Sequence, residues 1–204
     1  MSKGKMVLMS EKSDNKKQMI LQVARGVFAK NGYKNVTMKD IVDACDISRG
    51  GLYLYYSSTK DIFEGILDID NQAVDDISDN KISENSTAAD ILALYLKEQK
   101  KEILKKEESI VIAIYEYFFE NKFEKKENML NKQFEMTVKF IQALIKYGVK
   151  NGEFDCEDSL GMARTIMLMI EGLKISANTI DISESIVSKQ MLFILKQLVK
   201  KDVK

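Results

Sequence analysis

The sequence predicts an all-α fold, and three observations carry that expectation. Proline is absent from all 204 residues, so no position is barred from helix by a missing amide or a locked ring. Apolar residues recur at helical spacing: Ile20, Val23, Ala24, Val27 and Phe28 form the i, i+3, i+4, i+7, i+8 stripe of an amphipathic helix. Strand-like alternation of useful length and repeats of fixed period are both missing.

Residues 1–15 mix Lys, Ser, Asp and Asn without apolar periodicity and read as a mobile arm. The first helix follows and stops at Asn31-Gly32, where glycine supplies a left-handed cap and Tyr33 turns back onto the apolar side. Thr37, with Asp40 three residues later, resembles a capping box for a short second helix. That helix carries Ile41, Val42, Ala44 and Cys45 and ends near Asp46. Ser48 is placed to cap a short third helix over Gly50, Gly51, Leu52 and Tyr53. Ser58 or Thr59 caps a longer fourth helix, whose apolar side is Ile62, Phe63, Ile66, Leu67 and Ile69. After a polar break at 80–86, five further helices are expected near 87–106, 108–122, 125–151, 158–178 and 184–201, with Asn151-Gly152 a second stop signal. The total is about nine helices.

Composition excludes several classes of function. Histidine is absent, which removes the commonest general base and metal ligand. With no glycine-rich phosphate loop and no nucleophile beside a visible base, the chain does not read as an enzyme. Cys45 and Cys156 are isolated, which fits a reducing cytoplasm and neither a zinc site nor a disulfide framework. The acidic residues Asp68, Asp75, Asp76 and Asp79 lack the loop that Ca²⁺ needs and read as a solvated face. No metal or cofactor is expected. Apolar runs such as 110–115 and 165–170 are far too short for a membrane span.

Net charge is zero, but it is unevenly placed. Residues 1–60 carry eleven Lys/Arg against five Asp/Glu, and residues 61–204 carry twenty against twenty-six. A basic head on an acidic body fits a DNA reader attached to a separate module. Two short helices joined by a tight turn are the minimal such reader, one steadying the module while the other enters the major groove. Arg49-Gly50-Gly51 would let the second helix approach closely with a cation leading, followed by the phenols of Tyr53, Tyr55 and Tyr56.

The run FAKNGYKNVTMKDIVDACDISRGGLYLYYSSTKDIF, 28–63, resembles the DNA-binding signature of the tetracycline-repressor family. It combines F-x-x-x-G-Y, then T-x-x-x-I-x-x-x-x-x-I-S across the turn, then G-x-L-Y-x-Y-Y. Glu171-Gly172-Leu173 is similar to an acidic-Gly-Leu element on the family's penultimate helix. The resemblance implies a three-helix DNA-binding domain over 16–60 and a helical effector-binding and dimerisation domain over 61–204. It implies phosphate contacts from Thr37, Lys39 and Lys60. It implies a groove-facing surface of Ser48, Arg49, Gly50, Gly51 and Tyr53, with Tyr55 reaching the backbone beside it. Arg49 is the candidate for reading a base edge. Phe28, Tyr33, Ile41, Ala44, Ile47, Leu52 and Tyr56 would form the small domain's core. Asp46, Gly51 and Thr59 depart from the family's usual Gly, side-chain donor and Lys.

The C-terminal part carries two further expectations. Leu160, Ala163, Met167 and Ile170, with Val187, Met191, Ile194 and Leu198, are stripes expected to meet a second copy in a two-fold four-helix bundle. Tyr95, Tyr115, Phe118, Phe119, Phe134, Met136, Met169 and Glu171 are the candidates for lining an effector pocket, because aromatic and Met side chains make adaptable apolar walls. Glu116 and Glu120, four apart, read as a solvated face. The expected protein is a cytoplasmic, homodimeric repressor that leaves a palindromic operator when a small apolar or amphiphilic effector binds. The alternative is an architectural or partner-binding DNA-associated protein without an effector.

Overall fold

The computed structural model describes residues 3–80, 86–124 and 126–199, with side chains described from 13 and, in the fourth helix, as far as 70. Among the described residues there are nine α-helices and no strand. They are α1 (Lys3–Asn31), α2 (Met38–Cys45), α3 (Arg49–Tyr53), α4 (Thr59–Asn80), α5 (Ala88–Leu104), α6 (Val111–Glu120), α7 (Met129–Lys150), α8 (Ser159–Thr179) and α9 (Glu184–Leu198), with a short 3-10 turn at Lys106–Glu108. The stretch 1–15, expected to be an unstructured arm, is helical from Lys3 onward. Once Ile20 to Phe28 fix a helical nucleus, adding residues at its end is cheap even without an apolar stripe. The expected polar break at 80–86 lies largely outside the described residues, and the side chains of Asp75, Asp76 and Asp79 lie outside the described ones.

The chain divides into two compact units, and the division differs from the boundary expected at residue 60. The first unit comprises Met1–Ile77 together with Ile112–Glu120. Thus α4 and α6 pack with the three head helices. Its core is Ile20, Leu21, Ala24, Phe28, Val36, Ile41, Leu52, Ile62, Phe63, Ile66, Leu67, Ala113 and Tyr117. Four rings interlock there: Phe28 meets Phe63 edge-on at 4.8 Å, and Tyr33 and Tyr117 each lie about 5 Å from Phe63. Arg25 on α1 holds both carboxylate oxygens of Asp70 on α4, at 2.7 and 2.8 Å.

One feature of this unit was invisible to local pattern. The Glu116 carboxylate on α6 accepts the backbone N–H groups of Tyr33 and Lys34, at 2.7 and 3.1 Å. Beside it Glu120 pairs with Lys34 at 2.8 Å. The pair expected to be a solvated face therefore fastens α6 to the turn that ends α1. That turn needs Gly32, whose φ is +76°.

The second unit comprises Ser78–Val111 and Asn121–Lys204. Its core draws Ala88, Leu92, Leu96 and Ile103 from α5, Val138, Ile141 and Ile145 from α7, and the inner stripes of α8 and α9. Thr87 and Asp90 form a full capping box on α5. The Glu153 side chain accepts a further N–H, from Ala89, at 3.0 Å. At the end of α7, Gly152 takes φ +77° and Phe154 is folded against Gly148, where a Cβ would collide with its ring. Asp155 N–H then donates to Leu198 O at 2.8 Å, so the loop after α7 is sewn to the last residue of α9.

Candidate nucleic-acid interface

The geometry of the head follows from three caps. Thr37 Oγ1 accepts the Asp40 N–H at 3.3 Å, while the Asp40 carboxylate accepts both the Thr37 N–H and its hydroxyl, at 2.8 and 2.6 Å. The Thr37 hydroxyl hydrogen bond holds the Asp40 carboxyl below its ordinary pKa. Asp46, with φ 50° and ψ 48°, ends α2 in the left-handed region, which Asp tolerates better than most residues. Ser48 Oγ then accepts the Gly51 N–H at 3.0 Å and starts α3.

With both ends fixed, α3 can show solvent only one side. Leu52 is fully buried. At about 100° per residue, Gly50 and Leu54 both stand about 160° round the axis from Leu52. Leu54 N–H donates to Gly50 O at 3.2 Å, keeping the two in one helical row. Leu54 is 82% exposed. A Cβ built on Gly50 meets nothing within 4 Å, although glycine inside a helix costs about 1 kcal/mol relative to alanine. Nothing among the described residues requires that missing methyl. In the adjacent row the Arg49 guanidinium lies over the Tyr53 ring, 5.5 Å from its centroid, and both side chains are exposed.

The remaining head candidates divide. Lys39 is exposed at the start of α2, where amides and helix dipole favour an anion. Lys60 is exposed and lies 3.8 Å from Glu64. Tyr55 is half-buried. Thr37 is exposed, but its hydroxyl and amide protons are both committed to Asp40, so it serves as a cap and has no proton left for phosphate. Gly51 faces the cap: a Cβ there would press on Ser48 Oγ at 3.1 Å. Among the expected core residues Phe28, Ile41 and Leu52 are buried and Tyr33, Ile47 and Tyr56 are half-buried, but Ala44 is exposed. Sequence reasoning passed over Leu54. Its signal was available in the i, i+4 relation to Gly50, opposite the buried Leu52.

The eight effector candidates fall into two groups. Tyr115, Phe118 and Phe119 are on α6, within the first unit. Phe119 is 79% exposed there, and its ring lies 6.3 Å from that of Tyr115. Tyr95, Phe134, Met136, Met169 and Glu171 belong to the second unit. Of these Tyr95, Phe134 and Met169 pack half-buried against the core. The Tyr95 hydroxyl points to the Met167 sulfur at 3.4 Å. Burial, then the charge of Glu171, pushes the Tyr95 phenol well above its ordinary pKa. Glu171 pairs with Lys174 at 2.9 Å. Met136 is exposed on the outer side of α7, so it does not line an interior wall.

The expected dimer stripe requires correction. Ala163, Met167, Ile170, Val187, Met191, Ile194 and Leu198 are all buried in the chain's own core, and Leu160 packs half-buried beside them. A side chain enclosed by its own subunit offers nothing to a partner. The apolar residues left outside on these helices are Leu168, 64% exposed, with Ile186, Leu192 and Phe193. Gly172 on the same outer side of α8 has nothing within 4 Å of a built Cβ.

Comparison with known proteins fits this geometry. Residues 20–66 match the model of bacterial regulatory proteins of the tetR family. Residues 91–188 match that of the tetracyclin repressor-like C-terminal domain. The HTH-type transcriptional regulator YfiR of Bacillus subtilis is 27% identical over 166 residues, covering 80% of each chain. QacR of Staphylococcus aureus, another HTH-type transcriptional regulator, is 25% identical over 174 residues, 84% of this chain and 91% of that one. The fold is shared with a transcriptional regulator of Saccharomonospora viridis solved in complex with choline. That structure has a TM-score of 0.80 at 20% identity, covering 92% of this chain and all of the other. No described helix is long and apolar enough to cross a membrane.

Proposed function

Because this chain belongs to the tetracycline-repressor family and is a transcriptional regulator of that family, we propose that it acts as a homodimeric repressor released from its operator by a small effector. The observation that carries the DNA assignment is the outer row of α3. A glycine whose missing methyl no described residue requires stands beside an arginine pre-positioned over a tyrosine ring. Arg49 is the base-reading group, suited to the O6 and N7 acceptors of guanine. Ser48, whose oxygen accepts from Gly51, keeps its hydroxyl proton for a phosphate. Lys39, Lys60, Tyr53 and Tyr55 supply further backbone contacts.

Two heads are needed because each reads few bases. The outer apolar residues of α8 and α9, Leu168, Ile186, Leu192 and Phe193, supply the surface for a second copy. Gly172 between them lets two helices approach closely. Heads about 34–36 Å apart would meet a two-fold symmetric operator. Tyr95, Phe134, Met169 and Glu171 are the residues offered to an apolar or amphiphilic effector. That a similar regulator, from Saccharomonospora viridis, was solved in complex with choline supports a small-molecule role for the protein.

The test is fluorescence anisotropy of the full-length protein on duplexes from its own promoter region at several salt concentrations. The expected result is a steeply negative slope of log affinity against log salt, from phosphate neutralisation. Arg49→Ala should weaken binding about ten-fold or more per half-site, the cost of one bidentate base contact. A flat salt response, or unchanged affinity for Arg49→Ala, would count against the assignment.

A further inference from the structure

Leu54 is the most exposed large apolar residue among the described residues, at 82%. Nothing in its surroundings explains this. It lies one residue beyond α3 in right-handed helical conformation, φ −66° and ψ −23°, and its N–H is bonded to Gly50 O. Its row on the helix is therefore that of Gly50, diametrically opposed to the buried Leu52. A row made of an absent side chain followed one turn later by a bare leucine has a simple physical use. The glycine lets the axis come close to a surface, and the leucine is then the first group to touch it. Leucine has no donor or acceptor, so it cannot bond phosphate or the polar edges of bases. The one apolar group displayed in the major groove is the C5 methyl of thymine.

We propose that Leu54 is a specificity-determining residue whose side chain packs on the C5 methyl of a thymine in each half-site. This rests on the groove-facing assignment of α3 made above. Flanking Arg49 reads a polar edge while Leu54 reads a methyl, so the helix distinguishes bases by two different chemistries.

The experiment uses full-length protein and a duplex enriched from a randomised library. Each thymine of the half-site is replaced in turn by deoxyuridine, which removes the methyl and nothing else. One such replacement should weaken wild-type binding about four-fold in one half-site and about fifteen-fold in both, the worth of one buried methyl each. Leu54→Ala should bind more weakly and lose its sensitivity at that thymine, whereas Leu54→Met should retain it. Equal deoxyuridine sensitivity in wild type and Leu54→Ala, or no sensitive thymine for wild type, would overturn the proposal while leaving the DNA assignment standing. Failure of the wild-type protein to enrich any duplex would remove the DNA assignment and this inference with it. The wild-type deoxyuridine scan needs no variant, so the absence of a sensitive thymine overturns the proposal even if Leu54→Ala folds poorly.

Discussion

The Glu116 carboxylate is the contact whose removal has the most calculable result. Its Oε2 accepts the N–H of the half-buried Tyr33 at 2.7 Å and that of the exposed Lys34 at 3.1 Å. In Glu116→Ala the Lys34 amide is rehydrated at little cost, but the Tyr33 amide loses a charge-assisted bond. A hydrogen bond to a charged group contributes about 1.5–3 kcal/mol, so a loss of about 2 kcal/mol is expected. For a chain of this size that lowers the melting temperature by about 4–8 °C. The same carboxylate bounds what Gly32 can become. A Cβ on Gly32 would stand 2.6 Å from Glu116 Oε2, in a backbone at φ +76°. Gly32→Ala thus meets two penalties, one from the left-handed conformation, about 1–2 kcal/mol, and one from the collision. Only the second depends on Glu116. Gly32→Ala should therefore cost measurably less in the Glu116→Ala background than in the wild type, a coupling that a double-mutant cycle reads directly. The assay is thermal unfolding followed by circular dichroism at one fixed protein concentration, because any association adds to apparent stability. A Glu116→Ala protein that melts within a degree of wild type, or a Gly32→Ala cost identical in both backgrounds, would refute the reasoning.

Four other outcomes are expected. Leu168→Glu or Phe193→Glu places a charge on the exposed apolar surface of α8 and α9 and should yield folded monomers by sedimentation velocity; an undiminished dimer would place the interface elsewhere. Gly148→Ala should cost about 1–3 kcal/mol by overpacking against Phe154 and Ala88, measured by urea denaturation, whereas Gly172→Ala should leave the fold intact and weaken self-association. Asp40, Asp61 and Asp90 are each held below the ordinary carboxyl range, first by hydroxyls of Thr37, Ser57 and Thr87 respectively. Their contribution is therefore present above the unfolded Asp pKa, about 3.9, and is lost as pH falls through their lower folded values. Unfolding scans down to about pH 3 should show a shallower acid limb when Thr37 and Thr87 are replaced by Val.

Much of the fold was legible because its signals are local. Asn31-Gly32 and Asn151-Gly152 do stop helices, with both glycines at positive φ, and Thr37-Asp40 does close a capping box. These features depend on residues three or four apart, which a sequence displays directly. The dimer stripe failed for a different reason. On α8 the residues Ala163, Met167 and Ile170 are as apolar as a partner-facing row would be, and periodicity gives the angle between rows without saying which one the subunit keeps for itself. The grouping of α6 with the head was equally hidden, since it rests on Glu116 reaching a turn more than eighty residues earlier. The exposure of Leu54 was legible in its i, i+4 relation to Gly50, opposite Leu52, and was overlooked because the residue lies just beyond the end of α3.

The bond from Asp155 N–H to Leu198 O, with the pairing of Phe154 and Val199, makes the end of α9 a fastening point. Proteolytic trimming that removed Leu198 would release the 151–158 connection as well as the helix end, freeing Phe154 from its seat against Gly148 and opening the second unit at a distance from the cut. An insertion made beyond Val199 would leave that latch closed.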